Sequence, residues 1–186
     1  GDRSLQVKQR ALFVLSQSDE PRARAVLVET ARSGKPAELQ LEAVRALGIA
    51  GDPEDIRALS EIYRGTASKA TRAGILEAFM IAGDKAQLLA AARNEPDPEL
   101  RAKAIELLGA VGADSELVEL YQATQDRELR GRIILGLMIS GNSRAMIGLL
   151  RQETDPELKK QILQHLSMMD DEEAMNEIER LLTEKP

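Results

Sequence analysis

The chain is dominated by an internal repeat. Six glycine or aspartate residues end similar apolar segments and follow one another at intervals of 32, 32, 29, 29 and 29 residues. They are Asp19, Gly51, Gly83, Gly112, Gly141 and Asp170. A period of roughly 20–50 residues is typical of repeat architectures, in which each unit is one supersecondary element. The repeat therefore predicts a stack of six small units.

Each unit is predicted to be a pair of helices. Asp97, Asp126 and Asp155 are expected N-caps, because a carboxylate there accepts unpaired N–H groups of the first turn. Pro98 and Pro156 suit the first helical position, where a missing N–H costs no hydrogen bond. The glycines are expected to end the first helices in a left-handed conformation. Five further residues are expected to cap the second helices: Asp52, Asp84, Asp114, Asn142 and Asp171.

Apolar residues recur at helical spacing, and no segment shows the alternation of a strand. The predicted fold class is therefore all-α, an α-α superhelix of about six two-helix repeats, since only stacking buries both faces of such pairs. Arg24 falls where Ile56 and Leu117 are apolar, so the first unit is expected to be offset by a residue or to be a cap. Two columns of equivalent residues are expected to form the core: Val7, Leu39, Thr71, Leu100, Leu129 and Leu158, and Leu15, Leu47, Phe79, Leu108, Leu137 and Leu166.

Units such as DPELRAKAIELLGAVGADSELVELYQATQ, residues 97–125, resemble bacterial HEAT-like repeats of the type also found in phycobilisome-lyase-related proteins. The resemblance covers nearly the whole chain. It implies a right-handed superhelix, with first helices on the convex side and second helices on the concave side. It also implies that a basic column forms a ladder between neighbouring units, with an anion-binding track as the alternative. That column is Lys8, Gln40, Arg72, Arg101, Arg130 and Lys159.

We expect these units to form a single HEAT-like repeat domain over residues 1–186. The chain begins at Gly1 without Met, so a fragment of a longer protein, or a mature chain whose leader was removed, is expected. The absence of Cys and of an initial Met favours an extracytoplasmic location, with a cytoplasmic one left open. The predicted units are residues 4–35, 36–67, 68–96, 97–125, 126–154 and 155–186.

Composition argues against several functional classes. A net charge of -6 and 2% aromatic residues disfavour nucleic-acid binding, which needs basic surface and stacking side chains. Without cysteine, and with His165 as the one histidine, thiolate sites and histidine-based triads are excluded or disfavoured. His165 is expected to be structural, and the acidic run 170–173 to match a helix dipole. We predict no enzyme, no catalytic or metal-binding residue, no cofactor and no membrane span.

Two surfaces are candidates for binding a protein or peptide. The first is an apolar stripe near the ends of the first helices, whose regular Ile and Met residues favour a contact surface over a solvated face. The alternative is that these residues pack between units. The apolar stripe is Ile49, Met80, Ile81, Met138, Ile139 and Met168. It is expected to dock removed flanking sequence or a second copy in a homodimer.

The second candidate lies on the second helices, where small residues beside an arginine ridge would form a concave groove for an acidic or C-terminal peptide. The alternative is an ordinary solvated helix face. One predicted outward column is Ala58, Ala90, Glu119, Gly148 and Glu177, and the next is Glu61, Arg93, Gln122, Arg151 and Arg180.

These features favour a non-catalytic protein–protein interaction scaffold. The alternative is a cofactor-handling protein, lyase-like or chaperone-like, which would need a polar pocket lined by aromatic residues. A DNA-repair solenoid would need a basic concave face, and the composition disfavours it. No Gly-rich phosphate loop, His-Glu pair or Ser-centred elbow occurs in the sequence, and the missing His-Glu pairs argue against a di-iron hydroxylase.

Overall fold

Paired helices account for most of the chain. The computed structural model describes residues 3–18 and 20–183, apart from the side chains of Arg3 and Leu182, so Gly1 and Asp19 lie outside the described residues. Within these ranges there are twelve α-helices and no strand, which confirms the predicted all-α fold of two-helix repeats. The helices are α1 (Arg3–Ser16), α2 (Pro21–Ser33), α3 (Ala37–Ala50), α4 (Pro53–Gly65), α5 (Lys69–Ile81), α6 (Lys85–Asn94), α7 (Pro98–Ala110), α8 (Asp114–Ala123), α9 (Arg127–Ser140), α10 (Ser143–Gln152), α11 (Pro156–Met168) and α12 (Glu172–Thr183).

The helices form two compact units, residues 1–88 and 89–186. In the first unit α3 packs against α1, α2, α4 and α5, and α2 also contacts α4. In the second, α9 packs against α7, α8, α10 and α11, while α10 contacts α8 and α12. Within each unit, odd-numbered helices thus lie beside odd-numbered ones, and the even-numbered pairs α2–α4, α8–α10 and α10–α12 are also in contact. The core of each unit lies between these two layers.

The predicted helix ends are confirmed where the capping group is local. Asp97, Asp126 and Asp155 each accept two backbone N–H groups of the following turn. Pro98 and Pro156 occupy the first turn of their helices. The glycines at positions 51, 83, 112 and 141 all have positive φ, between 62° and 75°. An L-residue rarely adopts this conformation, which explains why glycine recurs there.

The second-helix caps were predicted less well. Asp84, Asn142 and Asp171 accept the expected N–H groups of their helices. Asp52 makes no capping bond, and Asp114 is already the first residue of α8. Their carboxylates are used between repeats instead. Asp52 lies 3.8 Å from an Arg24 nitrogen, and Asp114 accepts a hydrogen bond from Asn142 at 2.7 Å.

Most of the predicted core columns are buried, but Val7 is 68% exposed and its assignment to the core was wrong. The equivalent residue of α5 is Thr71, which contacts the preceding first helix, α3. Its hydroxyl lies 2.8 Å from the side-chain amide oxygen of Gln40. No described helix precedes α1, so the same face remains open there. Leu15 and Leu129 are half-buried, and the other predicted core residues are buried.

Two pairs of first helices approach closely because glycine lies at the crossing. A Cβ added to Gly109 of α7 would lie 2.2 Å from the carbonyl oxygen of Gly136 on α9. One added to Gly48 of α3 would lie 2.6 Å from the Cβ of Ala78 on α5. Both distances are shorter than carbon atoms tolerate, so the absent side chain sets the helix spacing.

Candidate functional site

The apolar stripe lies in the last turns of the first helices. In the first unit, Ile49 is 62% and Ile81 43% exposed, and Met80 beside Ile81 is half-buried. In the second unit, Ile139 is 44% and Met168 74% exposed, with Met138 half-buried. Each unit therefore presents large apolar side chains to solvent at the same repeat position. Their role in binding stays a prediction.

The second-helix columns differ from the expected arrangement. Ala58 and Glu177 are buried, so the prediction that both face outward was wrong. Gly148 is half-buried, and seven residues are exposed: Glu61, Ala90, Arg93, Glu119, Gln122, Arg151 and Arg180. Glu177 is held by Arg151 of the preceding second helix, α10, at 2.8 Å.

Arginines of the second helices form a charge ladder with acids of the next second helix. We define this charge ladder as the pairs Arg24 with Asp52, Glu54 and Asp55, Arg32–Glu61, Arg93–Glu119, Arg144–Glu173 and Arg151–Glu177. Arg151 binds Glu177 with two parallel hydrogen bonds of 3.0 and 2.8 Å. Bidentate pairing restricts both side chains. Most of the predicted arginine ridge is therefore engaged inside the protein.

Glu177 is the most strongly held carboxylate of the charge ladder. Arg151 on α10 and Arg180 on its own helix both donate to its oxygens, with the Arg180 bonds at 2.7 and 3.1 Å. These hydrogen bonds, first from Arg151 and then from Arg180, lower the pKa of Glu177 to about 2. The buried carboxylate is thus ionised throughout the physiological range.

Arg24 stands at the repeat position where Ile56 and Leu117 are apolar, and its side chain belongs to the charge ladder. Its Nε donates to Asp55 Oδ1 at 2.6 Å, and Asp55 is buried. Burial is the largest influence on Asp55 and raises its pKa, while Arg24 opposes that rise. The first repeat therefore departs from the apolar pattern at this position, because its arginine pairs with acids of the next repeat.

The basic column of the first helices contacts the ends of preceding second helices. Arg72 Nε donates to the carbonyl of Thr66 at 3.0 Å, and Arg130 Nε donates to that of Thr124 at 2.8 Å. Gln40 makes the corresponding contact to the carbonyl of Ala31 at 2.8 Å. For these three members, the ladder implied by the resemblance is confirmed.

A buried network around Arg130 was not predicted. Tyr121 donates to Glu153 Oε2, Arg130 lies 3.3 Å from the same oxygen, and its guanidinium stacks 4.9 Å from the Tyr121 ring centre. The other Glu153 oxygen accepts N–H groups of Thr154 and Asp155. These donors outweigh burial, the largest single influence, and lower the Glu153 pKa. One sequence feature could have indicated this network. A Tyr is followed nine residues later by an Arg at Tyr63 and Arg72, and again at Tyr121 and Arg130.

His165 lies at an open groove of about 640 Å³ between α9 and α11. It is half-buried, and burial lowers its pKa. Its Nδ1 atom is buried without a hydrogen-bond partner among the described residues. Over the same part of the chain, no group of His, Asp or Glu side chains is arranged to hold a metal ion. None of its helices has the length and apolar character needed to cross a bilayer.

Comparison with known families agrees with this architecture. Residues 1–80 match the family described as HEAT repeats, a span that covers α1 to α4 and most of α5. No curated protein matches the chain. The family match and the paired helices together support a HEAT-like repeat protein.

Proposed function

We propose that this HEAT-like repeat protein is a non-catalytic scaffold that binds other proteins. The observation that carries the proposal is the exposure of Ile49 and Ile81 in the first unit and of Ile139 and Met168 in the second. HEAT repeats commonly serve as protein-interaction scaffolds, since stacked repeats present extended binding surfaces. The apolar stripe is the surface best suited to that role.

Energetics favour the stripe as a contact. Burying one Ile or Met side chain completely is worth roughly 1.5–3 kcal/mol. Two such residues in one unit would offset part of the entropy lost on association. Neighbouring methionines can adapt to a partner's shape, because the unbranched thioether has several low-energy conformations. The candidate partners are another protein, a flanking segment and a second copy of this chain.

The second-helix surface is the weaker of the two candidates. Its arginines at positions 93, 151 and 180 all have carboxylate partners within the protein. A peptide that binds there would have to displace those carboxylates. The concave acidic-peptide site stays a prediction at these residues.

The cofactor-handling alternative lacks support from the aromatic residues. Tyr121 is buried and donates to Glu153. Tyr63 contacts Phe79 at a ring-centre distance of 6.3 Å and lies under Arg72. These contacts lie between side chains of the repeats themselves. The lyase-type resemblance stays a prediction.

Paired substitutions in each unit test the scaffold proposal. Ile49→Glu with Ile81→Glu alters the stripe of the first unit, and Ile139→Glu with Met168→Glu that of the second. We expect soluble variants with unchanged circular dichroism, because these side chains are exposed, and loss of partner capture or self-association in sedimentation. Val26→Glu is the matched control, as Val26 is exposed on α2 outside the stripe.

Two results would contradict the proposal. Unfolding of the double variants would show that the stripe is core, since buried unpaired carboxylates are not tolerated. Retention of every partner that the wild type and the Val26→Glu variant bind would show that the stripe is not a contact surface.

A further inference from the structure

A groove of about 600 Å³ in the first compact unit runs along α4 to the turn between α5 and α6. Its charged and polar lining is Arg57, Ser60, Arg64, Asp84, Lys85 and Gln87. Three cations thus face one carboxylate. Asp84 is itself committed, because its Oδ1 caps α6 by accepting the N–H of Gln87 at 3.0 Å. The groove is therefore basic within a chain whose net charge is -6.

The basic character of the groove follows from how the acids of α4 are used. Each acidic residue in or next to α4 pairs with an arginine of the preceding second helix. Arg24 takes three of them and Arg32 takes the fourth: Asp52, Glu54 and Asp55, and Glu61. The acids are consequently drawn to the α2 side of the helix. None of these four acids is paired with Arg57 or Arg64.

Arg57 and Arg64 lie two helical turns apart on α4 and are both exposed. Arg64 Nε donates to the carbonyl of Ser60 at 3.2 Å, which fixes part of its side chain along the groove. Within the described parts of the chain, neither arginine forms an ion pair. Both guanidinium groups can therefore donate hydrogen bonds to an external carboxylate.

The charge ladder shows what is missing at this junction. Arg144 and Arg151 of α10 meet Glu173 and Glu177 of α12. Arg93 likewise meets Glu119 of α8. The next second helix after α4 is α6, which has the sequence KAQLLAAARN and carries no acidic residue. The arginines of α4 are thus left without the acids that other second helices supply.

We propose that this groove binds an acidic peptide segment of a partner protein, whose side-chain carboxylates take the place of the missing acids. Two turns of helix span about 10 Å, the length of roughly three residues of extended peptide. Arginine pairs with carboxylates in a bidentate geometry that the single ammonium group of lysine does not reproduce. The site is separate from the apolar stripe and could serve the same scaffold.

The net negative charge of the chain does not prevent such binding. Exposed charges more than a Debye length apart, about 8 Å at physiological ionic strength, are largely screened from one another. For an acidic segment bound between Arg57 and Arg64, attraction to these two cations is stronger than repulsion from the more distant acids. Binding is therefore expected to weaken as salt is added.

Fluorescence anisotropy with a fluorescein-labelled hexaglutamate peptide tests the proposal on the full chain. We expect saturable binding at physiological ionic strength, where charges outside the groove are largely screened. Arg57→Glu with Arg64→Glu should weaken binding at least about tenfold, because repulsion replaces attraction at both ends of the groove. The neutral double variant Arg57→Gln with Arg64→Gln should weaken peptide binding less. If the charge-reversed double variant does not fold, the affinity of the neutral one tests the proposal.

The matched control is Arg22→Glu with Arg45→Glu, which changes net charge equally at exposed arginines outside the groove. We expect its affinity to stay within about twofold of wild type, and the stripe variants to bind as wild type. A peptide with an amidated C-terminus should bind equally well.

Three results would overturn the proposal. They are no binding by the folded wild type at physiological ionic strength, an equal loss in the groove and control variants, and loss of binding on amidation. The last would assign recognition to a terminal carboxylate rather than to acidic side chains. None of them depends on the apolar stripe, so the scaffold proposal is tested separately.

Discussion

At the level of single residues, Glu177 shows how the stacked repeats keep a buried carboxylate charged. Two arginines donate to it, and its pKa falls from the ordinary 4.5 to about 2. Because the folded-state pKa is lower, the ionised form stabilises the fold above about pH 4.5. That stabilisation is lost as the pH falls from there towards 2.

We expect Glu177→Gln to lower the free energy of unfolding at pH 7 by about 1–3 kcal/mol, the usual cost of weakening a charged hydrogen bond. The difference from wild type should shrink steadily below pH 4.5 and be small near pH 2. Denaturant unfolding followed by circular dichroism at several pH values measures it. Glu179→Gln on the same helix is the control, since Glu179 is exposed and should show little effect. A pH-independent loss at position 177 would contradict the assignment.

Residues whose partners lie within a few positions were predictable from sequence. Asp97, Asp126 and Asp155 cap their helices with groups two and three residues away. Asp52 and Asp114 could not be placed in this way, because their carboxylates contact residues 28 positions distant. A single repeat contains no information about which of its polar groups the neighbour will use.

At the level of helices, crossing glycines decide how closely first helices approach. Gly109→Ala would force α7 away from α9, because the new Cβ has no room beside the carbonyl oxygen of Gly136. We expect a loss of about 1–3 kcal/mol, as in other overpacked cores. Gly148→Ala is the matched control, since nothing lies within 4 Å of its added Cβ and alanine favours helix.

Thermal unfolding of both glycine variants gives the answer. The Gly109→Ala variant should melt below the wild type and the Gly148→Ala variant at or above it. Equal melting temperatures would mean that α7 and α9 can separate without cost. Neither close approach was predictable, because the repeat pattern marked only the glycines that end helices.

The exposure of helix faces was harder to predict than their existence. Periodicity placed Val7 and Leu39 in one column, yet Val7 is exposed and Leu39 is buried beneath α1. Conversely, Ala58 and Glu177 belong to columns predicted to face outward, yet both are buried, and Glu177 is held by Arg151 of the preceding second helix. Burial in a repeat protein depends on the neighbour, which a column of equivalent residues does not show.

At the level of the whole molecule, the two compact units predict local responses to core damage. Ile75 in the first unit and Ile133 in the second are both completely buried. Replacing a buried isoleucine with alanine typically costs about 2–5 kcal/mol. We expect Ile75→Ala to speed hydrogen exchange in α1 to α5, and Ile133→Ala to speed it in α7 to α11.

The two variants serve as controls for each other in a mass-spectrometric exchange experiment. Nearest-neighbour stability in repeat proteins confines a defect to adjacent repeats. Uniform acceleration over the whole chain in either variant would show that both units unfold together.

The fold was therefore largely predictable, and the candidate sites only partly so. Ile49 and Ile81 stand out in sequence because solvated helix ends seldom carry such residues. The groove at Arg57 and Arg64 was not found, because arginine on a helix is ordinary. It becomes notable only when the pairing of every other charge on α4 is known.

The charge ladder also restricts the order in which repeats can follow one another. α10 carries two arginines and no acid, whereas α12 carries the glutamates that meet them. A tandem duplication of the repeat containing α10 would set arginine against arginine, and exchanging the last two repeats would leave both sets of charges unmatched. Interior repeats of this protein are therefore not interchangeable parts, even where their cores are alike. Where the charge ladder is present, a repeat is fitted to the repeat before it by charge as well as by shape.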